Sequence, residues 1–280
     1  MEQNTDRMGF ALIALSVVAV VLLIMNAFFV PTVKGFFNGF NEWQESTFSQ
    51  INTSPSNKIN PNDAKWAEKG DWGSNGKFVV DKDGNAVIYA VDASKPIIFH
   101  DMSDENAKLP TDKLTTLTFQ DKVQGDTNSS MYSAFDDEFY NLKTINNLDT
   151  NVDTSNVTNM GSMFSGSKLT SVGDLSNWNT SNVTTMGNMF SYSQLTTVGD
   201  LSQWNTSNVT DMNSTFWRSQ LTSVGDLSNW NTSNVTYMHY MFYDSQLTSV
   251  GDLSNWNTSK VTTMGNMFTD SKLTPPAWYH

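Results

Sequence analysis

The 280-residue chain contains no cysteine, which removes disulfides, thiolate metal sites, cysteine nucleophiles and an acylated cysteine anchor together. Positive charge is scarce as well. Sixteen Lys and Arg stand against 28 acidic residues, a formal net charge of -12, and the basic residues form no cluster. A phosphate backbone would be repelled, so nucleic acid is excluded as a partner. Histidine is equally thin: His100, His239 and His280 lie far apart, without metal-ligand spacing. No nucleophile stands beside a base, and the adjacent carboxylates Asp136 and Asp137 rarely converge on one substrate atom. The expectation is a non-enzyme with no cofactor.

What the chain does have begins with a long uncharged run, GFALIALSVVAVVLLIMNAFFV, over residues 9–30. At about 1.5 Å per residue a helix of that length reaches roughly 33 Å, enough for a bilayer core. The reading is a transmembrane helix, preceded by a cytoplasmic tail over residues 1–8. It makes the protein a single-pass protein of the cell membrane with its C-terminal part outside the cell. Residues 31–49 place Val33, Phe36, Phe37, Phe40 and Trp43 at helical spacing, as in a juxtamembrane amphipathic segment. Residues 50–64 are polar and hold two prolines, the signature of a linker. Arg7-Met8-Gly9-Phe10 resembles a type IV pilin processing site, where cleavage follows Gly9, although Ala14 stands where pilins usually keep glutamate.

The strongest signal is a period of 26. Val157, Val183, Val209, Val235 and Val261 recur at that interval, inside units that read WNTSNVT, then MF, then LTSVGDLSN with few changes. In one unit Val183, Met186, Met189 and Phe190 have helical spacing, whereas Leu195 to Leu201 suits a short strand. One unit cannot bury such a set alone, so the units must stack, each covering its neighbours' apolar side chains. The segment holding Phe135, Leu142, Ile145 and Leu148 reads as a degenerate first unit, and Trp278 as a cover for the last. Upstream, residues 65–130 read as a β-rich cap, with a hairpin turning at Asp83-Gly84 and a strand in KLTTLTFQDKV.

Residues 131–280 resemble the 26-residue-repeat surface proteins of Gram-positive bacteria, related to leucine-rich repeats of the BspA type. The resemblance implies a leucine-rich-repeat-like solenoid of short parallel β-strands and short helical turns, with a small β cap and, here, the N-terminal transmembrane α-helix. It also implies an adhesion or display module for a protein or glycan ligand on a host or neighbouring cell. The alternative is a pilin-like subunit whose N-terminal helix self-associates into a filament.

Two sets of residues inside the repeats carry chemistry. Asp174, Asp200, Asp226 and Asp252 share one rank, and stacked carboxylates repel. Either Ca²⁺ sits between them or each is satisfied by the amides of its own Gly-Asp turn; the latter is preferred because the glycine-rich Ca²⁺ nonapeptide is absent. The second set is where the units differ: Tyr192, Trp217, Arg218, Tyr237, Tyr240 and Tyr243 form the candidate binding surface, since aromatic residues and Arg are favoured in recognition. The Asn-x-Thr triplets at Asn182 and Asn208 recur only because the unit recurs.

Overall fold

The structure, a computed structural model, describes residues 59–280. The expected cytoplasmic tail, transmembrane helix and amphipathic segment, and the expected linker up to residue 58, lie outside the described residues. Among the described residues no helix is long and apolar enough to cross a membrane.

Among the described residues, 60–159 carry all the strands. β1 (Trp66–Asp71), β2 (Gly76–Asp81) and β3 (Asn85–Ala90) run antiparallel, and β3 then pairs in parallel with β5 (Thr116–Phe119), which pairs in parallel with β7 (Thr144–Asn146). A second, all-parallel sheet joins β4 (Ile97–Asp101), β6 (Val123–Ser130) and β8 (Val152–Asp153), with β9 (Val157–Asn159) also on β6. The β2–β3 hairpin forms where Asp83-Gly84 indicates it: Gly84 has φ +83, and Asp81 accepts from the amides of Asp83 and Asn85. Phe78, Val80, Ala86 and Ile88 alternate into the main core, while Val79, between them, is buried as well. A short helix, α1 (Met102–Asn106), is capped by Asp101, which accepts from the Ser103 amide at 2.9 Å. The polar stretch before β1 folds back, with the Trp66 indole donating to the Asn60 carbonyl at 3.0 Å.

Beyond β9 the expected architecture does not form. The repeat half contains no continuous strand and no α-helix; it has isolated parallel bridges, Asn159–Thr185–Asp211–Tyr237–Thr263, and 3₁₀ turns at Leu175–Asn177, Leu227–Asn229 and Leu253–Asn255. This overturns the leucine-rich-repeat-like solenoid of parallel strands and helical turns; the architecture is one of mixed sheets with little helix. The reason is backbone handedness. Four successive units hold three left-handed residues, for example Asn188 at φ 58, Tyr192 at φ 55 and Gly199 at φ +88, and the last holds Asn266 and Asp270. A strand needs consecutive extended residues and a helix consecutive right-handed ones, and neither run survives that spacing. The Val183–Phe190 helix is broken at Asn188, and the Leu195–Leu201 strand at Gly199.

Without a ladder, adjacent units are still stitched together. Amides of Met186, Asn188, Phe190 and Tyr192 donate to carbonyls of Asp211, Asn213, Thr215 and Trp217 at 2.7–2.9 Å, while Thr184 and Gln194 donate backward to Thr158 and Ser167. Side chains complete the accounting: Thr180 Oγ1 donates to the Asn205 carbonyl, and Asn182 Nδ2 to the Ser155 carbonyl at 2.7 Å. The sequon amide at Asn182 is therefore already engaged.

Two aromatic columns run through these units. Phe135, Phe164, Phe190, Phe216, Phe242 and Phe268 stack at 5.4–5.9 Å between centroids, and Phe119 links the column to Trp72 in the sheets. Trp178, Trp204, Trp230 and Trp256 stack at 6.4–6.5 Å with rings within 7° of parallel. Trp204, Trp230 and Trp256 each donate Nε1–H to the carbonyl of a leucine in the preceding unit, Leu175, Leu201 and Leu227, at 3.0 Å. Trp178 has no such partner, because the degenerate first unit puts a short helix, α2 (Leu148–Asn151), where the others put a turn. Trp278 extends the column onto Trp256 and donates to the Leu253 carbonyl at 2.8 Å.

Candidate functional site

The rank of Asp174, Asp200, Asp226 and Asp252 resolves locally. Each carboxylate accepts from the amide two residues ahead, Ser176, Ser202, Ser228 or Ser254, at 2.9–3.0 Å. The Ser228 amide and hydroxyl hold the Asp226 carboxyl below the usual carboxylate range and outweigh the opposing charge of Asp252; Asp252 is lowered in the same way by Ser254. Three of the four also fill the space above the next unit's glycine: a Cβ at Gly199, Gly225 or Gly251 would overlap Asp174, Asp200 or Asp226. Among the described residues no group of three or more His, Cys, Asp or Glu side chains is arranged to hold a metal ion. His100 pairs with Asp126 at 2.8 Å, and that hydrogen bond, then the charge, raises its pKa. His239 contacts Thr263 at 3.3 Å.

The variable residues behave differently from the Asp rank. Tyr192, Trp217, Arg218, Tyr240 and Tyr243 come together across adjacent units, with Trp217 at the centre: its ring is 4.8 Å from Tyr192, 5.6 Å from Tyr240 and 6.4 Å from Tyr243. The Arg218 guanidinium lies over Tyr192 at 5.5 Å, its Nη1 donates to the Tyr192 hydroxyl at 3.2 Å, and its Nε pairs with Asp244 at 3.1 Å. Tyr192 and Asp244 hold the guanidinium charged, raising its pKa. Tyr237 is not part of the group. It sits on the line of single bridges between Asp211 and Thr263, exposed, with no ring contact to the other five.

Backbone strain singles out the same place. Tyr192, Arg218, Tyr240 and Asp244 have φ of 55, 51, 57 and 49. The fold demands a left-handed residue at these two ranks in every unit, and elsewhere they hold Ser162, Gly166, Asn188, Ser214, Asn266 or Asp270, small residues or ones tolerant of that region, so the exceptions are Tyr192, Arg218 and Tyr240. A bulky Tyr or Arg costs about 1–2 kcal/mol in that conformation relative to glycine. Such strain persists where something other than folding selects the side chain. Trp217 adds a second anomaly, since its Nε1–H is enclosed with no hydrogen-bond partner.

Beside the cluster lies an open groove of about 670 Å³, lined by Tyr192, Gln194, Arg218, Gln220, Asp244 and Gln246. The three glutamines were missed in the sequence, although their rank reads Lys168, Gln194, Gln220, Gln246, Lys272 and so marks the middle units. They were missed because exposed amides carry no periodic apolar signal.

The family model described as "Mycoplasma protein of unknown function, DUF285" matches residues 129–246 and 192–274, together more than half of the chain. The chain belongs to this family. The match supports a bacterial surface repeat protein. The family span begins inside β6 and takes in the repeat half up to residue 274, together with the aromatic cluster and the groove. No curated protein and no solved structure matches the chain.

Proposed function

We propose that the chain is a membrane-anchored bacterial surface protein, akin to the Gram-positive surface proteins with 26-residue repeats, whose repeat half displays a recognition surface outside the cell. It acts by binding, not by catalysis. The observation that carries this reading is the strained cluster: the bulky residues Tyr192, Arg218 and Tyr240 stand at left-handed positions and meet with Trp217, Tyr243 and Asp244, at a cost in backbone energy that folding alone does not require. The uncharged run over residues 9–30 supplies the anchor, and the acidic balance of -12 keeps the exposed part soluble and non-sticking.

The test is protease treatment of intact cells, with the N-terminal residue and mass of the envelope-bound protein determined in parallel. The reading expects Met1 or Glu2 at the start and loss of residues beyond the linker to external protease. Protection from protease would exclude an external repeat half, and a start at Phe10 would indicate a processed filament subunit instead.

A further inference from the structure

We infer that the groove beside the cluster binds a neutral oligosaccharide chain lying along the stack, across the units that contribute Gln194, Gln220 and Gln246. The inference deepens the display reading and rests on it.

The first argument is the ladder. Gln194, Gln220 and Gln246 occupy one rank, and their amides donate backward to Ser167, Ser193 and Ser219 at 3.1 Å, which fixes the three backbones in the same pose one unit apart. Equivalent rings of the Phe column in neighbouring units lie 5.4–5.7 Å apart along the same direction. A glycan likewise advances by a similar increment per sugar ring, so a regular polymer meets the same group at each step. The primary amides of Gln194 and Gln220 can donate and accept at once, which matches vicinal hydroxyls and imposes no charge, while Gln246, its Oε1 held by Lys272, offers its amide N–H groups.

The second argument is charge. The lining carries one cation, Arg218, and one anion, Asp244, already paired at 3.1 Å. An anionic ligand would meet Asp244 beside the guanidinium it needs, and a cationic one would meet Arg218. Lys272 bonds Gln246 Oε1 at 2.9 Å at the end of the ladder, outside the paired centre. A neutral ligand needs no charge to be stripped of its partner.

The third argument is the wall. Tyr192 presents a ring, 43% exposed, held edge-on by Trp217 at 4.8 Å and stacked by Arg218, so its orientation is fixed before any ligand arrives. A preset aromatic face beside hydroxyl-binding amides suits the apolar face of a pyranose ring. A protein partner would instead need a buried apolar centre, and the groove offers three glutamines and an ion pair there.

The test uses the full chain in a detergent without a sugar headgroup and measures binding of neutral hexasaccharides of glucose, N-acetylglucosamine and mannose, their disaccharides, and sialylated and uronic oligosaccharides. The expected result is binding of at least one neutral hexasaccharide, with its disaccharide and the anionic glycans about tenfold weaker or worse. Gln220→Ala weakens it by about tenfold, as expected for losing one or two amide hydrogen bonds, with an unchanged melting temperature. Gln246→Ala, at the end of the ladder, serves as the second variant should Gln220→Ala fold poorly. Preference for anionic glycans, equal binding of disaccharide and hexasaccharide, or indifference to both variants overturns the inference. Binding to cells or proteins without any glycan binding overturns it too but leaves surface display standing, whereas protease protection on intact cells sinks the display reading itself.

Discussion

Gly225→Ala is the substitution that best probes how the units interlock. Gly225 has φ +81, and a Cβ there would overlap the Asp200 carboxylate of the preceding unit, which meanwhile accepts from the Ser202 amide at 2.9 Å. Forcing alanine into the left-handed region costs about 1–2 kcal/mol. Displacing Asp200 from the turn it caps costs about 0.5–2 kcal/mol more. Alanine returns about 0.4–1 kcal/mol by stiffening the unfolded chain. The net expectation is a destabilisation of about 1–3 kcal/mol, or a melting temperature lower by roughly 3–10 °C for a unit of this size. The assay is thermal unfolding by circular dichroism, with Gly265→Ala as the control, because at Gly265 nothing lies within 4 Å of the new methyl. That control should melt at or slightly above the parent. Equal melting of the two variants would refute the interlock and leave the Gly-Asp rank without its structural explanation.

Three further outcomes follow from the geometry. Tyr192→Gly and Tyr240→Gly should leave stability within about 1 kcal/mol of the parent, since relief of about 1–2 kcal/mol of left-handed strain offsets the lost ring contacts; a large drop in denaturant midpoint would show the rings to be structural. Trp230→Phe, which removes one of the two hydrogen bonds to the Leu201 carbonyl and leaves that from the Trp204 amide, should cost about 0.5–1.5 kcal/mol more than Trp178→Phe, which deletes a buried donor that has no partner; chemical denaturation of the pair measures the difference. Asp226 and Asp252 have folded pKa values below the unfolded carboxylate value, so their contribution is present above about pH 4 and is lost as pH falls through the lower folded values. Melting temperature should therefore fall below pH 4, and less so in Asp226→Asn, whose side-chain oxygen still caps the turn.

The period, the stacking columns and the hairpin were legible because each writes itself in side-chain type. Phe190, Phe216 and Phe242 recur at one interval, and Asp83-Gly84 names its own turn. Secondary structure within the unit was misread because an apolar spacing of three does not distinguish a helix from linked turns, and the residue that decides, Asn188 at φ 58, looks like any surface polar residue. The parallel pairing of β4 with β6 was equally hidden, since it depends on partners 26 residues apart. Of the candidate surface, five members met because the period places Tyr192, Arg218 and Asp244 on adjacent units in one rank. Tyr237 fell outside because it occupies the bridge rank instead. At the Asp rank the preferred reading, a carboxylate satisfied by the amides of its own turn, was legible because a serine stands two residues after every Asp.

The most direct test of the account replaces the variable residues by those that the other units carry at the same ranks: Tyr192→Gly, Trp217→Ser, Arg218→Gly, Tyr240→Asn, Tyr243→Ser and Asp244→Gly together. Beads coated with the parent or the replaced full chain are then scored for attachment to a panel of cells and immobilised glycans. The account predicts a replaced chain that melts at the parent's temperature or above and attaches to nothing the parent binds. Retained attachment would contradict the recognition surface, and a collapse in melting temperature would show that the cluster exists to hold the repeats together.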